Sequence, residues 1–393
     1  MIFTISRKKL IYDLYYAFFC AKKYKANKDY VKHFEKNLHN NIIELADEIM
    51  ERRYKPQPSV CFIISRPKKR EIFAANFRDR VVHHLYYNYT YELFDNTFIE
   101  DSYSCRVGKG THYGIERLER HIRSASENYS KKTYILKLDI KGYFIHINRK
   151  KLLEITEKVL DKMKTHRVSK NEPITWEEKI DYDLVKYLNH ELVLLNPIEN
   201  CVFKSDKIEW YTLDKSKSLF YSKENQGLPI GNLTSQLLSN VYLNLLDQYI
   251  KRELKCKHYG RYVDDFYIVD NDKEKLKRLI EPIKNFLENE LDLSLNLGKT
   301  KIRDVNIGVD FLGAYLKPWR RYISNECLKR MVRQLYEIEH IGTDKNIDCQ
   351  INSFLGVLSH YKTYNIKKIL FNDKSPLNEF GRFNEDYTKF IVF

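Results

Sequence analysis

Two adjacent carboxylates sit inside the most strand-like run of the chain, "HYGRYVDDFYIVDND", His258 to Asp272. Val, Tyr, Ile and Phe favour strands, and Asp disfavours them. Ionised carboxylates are costly to bury unless they are paired or hold a cation. Any fold for this chain must therefore set Asp264 and Asp265 at a strand turn beside something positive. Their flanks, Tyr262, Val263, Phe266, Tyr267 and Ile268, argue against a plain solvated turn.

A third candidate ends another strand. "TYILKLDIKGYF" (Thr133 to Phe144) alternates apolar and polar residues, so Asp139 is expected on the side of the neighbouring carboxylates. Such a set can hold two divalent ions. Mg²⁺ takes few protein ligands, mostly carboxylates, and completes its shell with water and phosphate oxygens. A pair of these ions activates a hydroxyl and stabilises the leaving oxygen of an in-line phosphoryl displacement.

Composition narrows the partners. Lys and Arg number 68 against 53 Asp and Glu, a formal excess of +15, which favours nucleic acid first and anionic membrane second. The 30 Tyr and 21 Phe supply rings, most for cores and some for stacking on bases. Cys20, Cys61, Cys105, Cys201, Cys256, Cys327 and Cys349 are scattered without a CxxC pair, which argues against zinc and disulfide scaffolds and suits a cytoplasmic location. "LYYAFFCA" is too short to span a bilayer, and no membrane association or secretion signal is expected.

The spacing predicts helices from Ile2 to about Tyr54, then a strand pair, Ser59–Ser65 and Glu71–Ala75, around a basic turn at Pro67–Arg70. A helix follows from Phe77 to Leu93, and another at Arg149–Val159 after the Asp139 strand. Asp161 to Glu224 reads as an irregular insertion with a helix near Trp176–Leu194 and a hairpin. "LTSQLLSNVYLNLLDQYIKREL" reads as one amphipathic helix opened by a Thr/Ser cap. A helix at Lys273–Glu290, a strand at "VDFLGAYLKP" and a basic helical remainder from Asn325 complete an α+β chain.

Tyr262-Val263-Asp264-Asp265 resembles the Y-x-D-D box of reverse transcriptases, and the resemblance runs in order from about Tyr24 to Tyr364. It implies a right-hand polymerase fold with fingers, a palm of antiparallel sheet backed by helices, and a helical thumb. The implied division is 1–55 N-terminal helical extension, 56–132 fingers, 133–160 first palm segment, 161–225 insertion, 226–324 second palm segment and 325–393 thumb. "LKLDIKGYF" is similar to the family's first catalytic motif, which makes Asp139, Asp264 and Asp265 the catalytic carboxylates. The metal set is Asp139, Ile140, Asp264 and Asp265, for two Mg²⁺ with Mn²⁺ as substitute. Phe144 falls at the family's steric gate, implying a preference for deoxynucleotides. In "RPKKREIFAANFRDRVVHHL", similar to the fingers motif, Arg70 and Lys68 would meet the triphosphate, a fork donor suiting phosphate. Arg78 and Arg80 would position template or brace the fingers. "LSLNLGKTKI" places Lys299 as proton donor to pyrophosphate, with Lys301 two positions on. "FLGAYL" matches the primer-grip turn, Phe311, Leu312 and Gly313. "INSFLGVLSHYKTYNI" resembles the thumb helix that tracks the duplex.

The segment "GLPIGNLTSQLLSNVYLNLLD" separates members of the family. Most carry Q-G-x-x-x-S-P here, whereas this chain has Ile230-Gly231-Asn232-Leu233-Thr234-Ser235-Gln236. That pattern resembles the reverse transcriptases of diversity-generating retroelements, bacterial or phage-encoded. The family Gln donates and accepts at the nascent pair, and Ile230 can do neither. Together with Gly231 and Gln236, it belongs to the implied nucleotide-selectivity set, and weaker checking of the pair is expected. The implied activity is error-prone, adenine-mutagenised cDNA synthesis from a template-repeat RNA. The implied partners are RNA template, primer duplex, deoxynucleotides and a small basic accessory variability determinant. A retron or phage-defence reverse transcriptase and a non-catalytic RNA-binding scaffold stand as alternatives. A group II intron maturase would continue beyond the thumb, while this chain ends at Phe393, and no RNase H-like carboxylate set is expected.

Overall fold

The computed structural model describes residues 3–65, 68–199, 201–341, 347–372 and 375–393, and shows an α+β protein. It divides into two compact units. The first comprises Met1–Gly110, Leu138–Phe266 and Arg278–Thr300, and the second Thr111–Lys137, Tyr267–Lys277 and Lys301–Phe393.

The first unit is built around two helices. Phe77–Asp95 buries Val81, Val82, Leu85, Tyr86, Leu93 and Phe94, and packs on the helices Arg7–Lys22, Tyr182–Val193 and Leu233–Gln248. Leu233–Gln248 buries twelve of its sixteen residues, which makes it a core helix rather than an amphipathic surface one. Its N-cap position is Asn232. The expected Thr/Ser cap is corrected here, because Thr234 and Ser235 lie inside the helix, buried. The first fifty residues form three helices, Arg7–Lys22, Asp29–Lys36 and Leu38–Met50.

The expected strand pair is present as Val60–Ile64 against Arg70–Ala74, antiparallel, with Val60 opposite Ala74. Pro67, in the expected turn, lies outside the described residues. The hairpin expected in the insertion is short, an antiparallel bridge of Arg167 with Thr175 in which Val168 N donates to the Ile174 carbonyl (2.9 Å) and Trp176 N to the His166 carbonyl (3.1 Å). Farther on, Val202–Phe203 adds to Val60–Ile64 in parallel. The insertion's predicted single helix is two, Trp176–Lys179 and Tyr182–Val193. Asp181 ends the first by capping the second at Leu184 N (2.9 Å) while also accepting from Ile5 N (2.7 Å).

A four-stranded sheet runs in the order His258–Tyr262, Asp265–Asp270, Tyr134–Asp139, Lys301–Asp304. The predicted helix Lys273–Glu290 breaks at Leu279 into Lys273–Arg278 and Ile280–Leu291. Pro282 has no N–H to continue the helical ladder there.

In the second unit the single strand expected at "VDFLGAYLKP" is a hairpin, Val309–Phe311 with Ala314–Lys317, extended by Arg320–Ile323. Leu312 and Gly313 form its two-residue turn at φ 49° and 84°, the handedness a tight hairpin requires. The C-terminal part has the expected helices Asn325–Ile341, Ile347–Ser359 and Tyr364–Leu370. It also has a hairpin that was not expected, Gly381–Phe383 with Phe390–Val392. Phe390 seals a core of Met331, Leu335, Ile351, Leu355 and Phe371.

Candidate active site

Val263 and Asp264 make the two-residue turn between the His258–Tyr262 and Asp265–Asp270 strands. Val263 has φ 55°, an uncommon conformation for a β-branched residue that costs about 1–3 kcal/mol and needs support from its surroundings. Arg261 provides that support. Its guanidinium is fully buried, donates to the Val263 carbonyl (3.0 Å), Asn240 Oδ1 (3.2 Å) and Ser102 Oγ (3.2 Å), and grips both oxygens of buried Asp247 at 2.7 and 2.6 Å. Tyr259 adds a third donor to Asp247 at 2.5 Å. Sequence reasoning missed Arg261 and Asp247. An Arg inside an otherwise apolar strand was the available signal.

Asp139 ends one strand, Asp265 opens its neighbour and Asp264 lies in the turn just before it, where the Ile140 N–H donates to the Asp264 carbonyl at 3.3 Å. Burial first, then the charges of Asp139 and Asp265, pushes the Asp264 carboxyl up to about 6, with Lys299 partly offsetting them. Lys299 Nζ lies 3.0 and 2.9 Å from the two Asp139 oxygens, and Asn296 Nδ2 reaches Oδ2 at 3.0 Å. Desolvation works against the Lys299 charge, but Asp139, Asp264 and Asp265 outweigh it and raise its pKa. Lys301, two residues on, opens a strand opposite Lys137. Among the described residues no three acidic, His or Cys side chains converge tightly enough to close on a metal ion. The donor chemistry still fits one: three hard carboxylates, one made reluctant to ionise by burial and then by the others, are balanced only in part by a lysine. Divalent cations are the charge such a set takes up.

The "GLPIGN" loop bridges two other candidate groups. Leu228 N donates to the Phe144 carbonyl (2.8 Å), while the Ile230 carbonyl accepts from Phe73 N (3.0 Å) and Asn232 Oδ1 from Ala75 N (3.1 Å). Phe144 and Ile230 are half-buried, and Gln236 is exposed. Gly231, at φ 128°, lies so close to the Arg70–Ala74 strand that a Cβ would meet Ile72 Cγ2 at 2.9 Å and the Phe73 carbonyl at 3.1 Å. Lys68 and Arg70 are exposed at the start of that strand. Arg78 is drawn into ion pairs with Glu48 and Asp79, and Arg80 lies over the Tyr30 ring. Phe311, Leu312 and Gly313 belong to the second unit, where Phe311 packs edge-on against Tyr267 at 5.2 Å.

Residues 56–316 match the family model described as reverse transcriptase (RNA-dependent DNA polymerase). The chain belongs to the reverse transcriptase family. As a reverse transcriptase it is an RNA-directed DNA polymerase by family, and the Asp139, Asp264 and Asp265 motifs lie within the matched span. It is 24% identical over 303 residues to Protein YkfC of Escherichia coli (strain K12), covering 68% of this chain and 69% of that protein. Over 166 residues it is 25% identical to the putative COX1/OXI3 intron 2 protein of Saccharomyces cerevisiae (strain ATCC 204508 / S288c), covering 28% of this reverse transcriptase and 19% of the yeast protein. Among solved structures it is similar to apo telomerase from Candida tropicalis truncated from its C-terminal domain, at 15% identity and TM-score 0.47 over 73% of this chain and 60% of that one. Telomerase from Candida albicans in complex with a TWJ fragment of telomeric RNA gives 12% identity and TM-score 0.47, over 82% of this chain and 60% of that chain. No described helix of this reverse transcriptase is long and apolar enough to cross a membrane.

Proposed function

We propose that this reverse transcriptase copies a template-repeat RNA into error-prone, adenine-mutagenised cDNA for a diversity-generating retroelement. The observation that carries the reading is Ile230. It stands half-buried in a loop hydrogen-bonded to Phe73 on one side and to Phe144 on the other, where most relatives by motif carry a Gln. A branched alkyl group there fills space but offers the nascent pair neither donor nor acceptor. The protein's own check on the pair then rests on shape, which discriminates less than a site whose polar groups a wrong pair would leave unpaired.

The remaining residues take roles that follow from their chemistry. Asp139, Asp264 and Asp265, with the Ile140 backbone beside them, would hold two Mg²⁺, which supply hydroxyl activation and leaving-group stabilisation when bound, Mn²⁺ serving as substitute. Lys68 and Arg70 bring exposed positive charge to the triphosphate. Phe144 presents a rigid ring to the sugar and excludes a ribose 2′-hydroxyl. Lys299 keeps a proton beside the carboxylates and donates it to the departing pyrophosphate. Phe311, Leu312 and Gly313 offer the primer a turn whose glycine leaves the backbone open to close approach. The partners in this reading are a structured RNA serving as template, an RNA or DNA primer, and a small basic accessory protein.

Sequencing cDNA made by the full chain from a template containing all four bases tests the reading. Errors are expected to concentrate opposite adenine and to fall several-fold in Ile230→Gln. Equal error rates opposite every base would overturn the retroelement assignment and leave a retron-like or defence reverse transcriptase. No DNA at all would leave an RNA-binding scaffold.

A further inference from the structure

In the second unit, outside every site above, ring faces and guanidinium groups meet on an open surface. Trp319 stands at the tip of the hairpin joining Ala314–Lys317 to Arg320–Ile323 and is 63% exposed. Its backbone has φ 61°, in the left-handed region that side-chain-bearing residues seldom occupy. The Tyr129 ring meets the indole at 5.0 Å and 64°, and the Arg123 guanidinium carbon lies 5.2 Å from the indole centroid.

Tyr129 is itself held in an unusual way. Glu127, Asn128 and Tyr129 have φ of 47°, 57° and 69°, three successive residues in a region normally visited singly. The turn is stitched to the preceding helix: Asn128 N donates to the Arg123 carbonyl (2.8 Å) and Tyr129 N to Ser126 Oγ (2.8 Å). Arg123 closes it by donating to Asn128 Oδ1 from Nε and Nη2, at 3.3 and 3.2 Å. One guanidinium therefore fixes the turn and lies over the indole. Backbone strain on both partners, spent to hold rings in water, points to a ligand for those rings.

Charge indicates which ligand. Arg120 and Arg123, with Ser124, Glu127 and Asn128, line an open hollow of about 320 Å³. Glu127 is paired with Lys131, and Glu119 with Arg321 at 2.6 Å. No ion pair joins Arg120, Arg123 or Arg320 to an acid among the described residues. The uncompensated charge beside the rings is thus cationic, which suits phosphates, and an exposed indole face accepts any base.

We infer that Trp319, Tyr129 and Arg123 form a stacking platform for an unpaired base of single-stranded RNA, with Arg120 and Arg320 taking the flanking phosphates. The inference rests on the polymerase reading, which supplies the strand. Equilibrium binding of the full chain to a short single-stranded RNA, and to an abasic strand of the same length, separates stacking from charge. Trp319→Ala is expected to weaken RNA binding by about tenfold, within the range for loss of one base-stacking ring, and to leave the abasic strand unaffected. Trp319→Phe should retain most of the affinity. Undiminished RNA binding in Trp319→Ala, or equal losses on both strands, would overturn the platform. Primer extension by the wild-type chain is read alongside, so that absence of DNA synthesis would remove the polymerase reading while the stacking result stood by itself.

Discussion

Arg261 connects a strained turn to a buried anion, and that gives it an expected kinetic signature. Its guanidinium satisfies Asp247, Asn240, Ser102 and the Val263 carbonyl together. A lysine in its place keeps the charge opposite Asp247 but cannot reach four groups with one ammonium. Arg261→Lys should therefore leave the fold in place, free the Val263–Asp264 turn, and lower kcat by roughly ten- to a hundredfold, the scale of an ångström misplacement. KM for deoxynucleotide should move little, because Arg261 is fully buried and presents no donor at the surface. Asp264→Ala provides the reference, with incorporation abolished and RNA binding kept. Steady-state primer extension with a thermal melt of each variant distinguishes the outcomes, and an unchanged kcat would reduce Arg261 to a core brace. Arg261→Met instead leaves Asp247 buried and unpaired, at about 3–5 kcal/mol of stability. Apart from the arginine inside its strand, little of this network was legible in the sequence. Asn240 and Asp247 lie two turns apart on one helix, but nothing local links them to Ser102 or to Arg261. The carboxylates were legible because acidic residues inside β-branched, aromatic runs contradict their own surroundings.

Between elements, the contact of Phe77–Asp95 with Leu233–Gln248 carries a titratable group. His83 is buried, and its Nδ1 lies 2.7 Å from Thr234 Oγ1. Burial first, then the positive charges of His84 and Arg80, lowers its pKa to about 3. The unfolded chain binds this proton near the usual value of about 6.5, and the native chain does so only far below it. The His83 contribution to stability is thus complete above about pH 6.5 and lost progressively as pH falls toward 3. His83→Gln cannot titrate, so its unfolding midpoint should drop less between neutral pH and about pH 5 than that of the wild type. Parallel pH profiles in urea melts would rule His83 out as the cause. Element types were largely readable, since long periodic runs such as Phe77–Asp95 leave little choice. Boundaries failed where tertiary bonds or proline decided. Asp181 caps one helix against the N-terminal segment, Pro282 interrupts another, and Val202–Phe203 pairs with a strand some 140 residues earlier, which no local pattern encodes.

Across the whole molecule the excess of +15 is spread over the chain, whereas the selectivity proposed above rests on a few apolar and aromatic side chains. These contribute differently to affinity. Charges that neutralise phosphates release counterions, and each contact to a single strand contributes about 0.7 to the slope of log affinity against log salt. If six to ten phosphates are covered, a slope of about −4 to −7 is expected for a template RNA. Stacking on Trp319 and packing at Ile230 release no counterions. Trp319→Ala should therefore lower the line without tilting it, and Ile230→Gln should change neither height nor slope while altering the errors in the product. Arg120→Ala should do the opposite of Trp319→Ala and flatten the line by about one phosphate contact. Anisotropy titrations at several salt concentrations measure all three. A tilt on removing the indole would mean that the ring only props up a charged patch. A parallel shift on removing Arg120 would mean that its guanidinium never meets a phosphate.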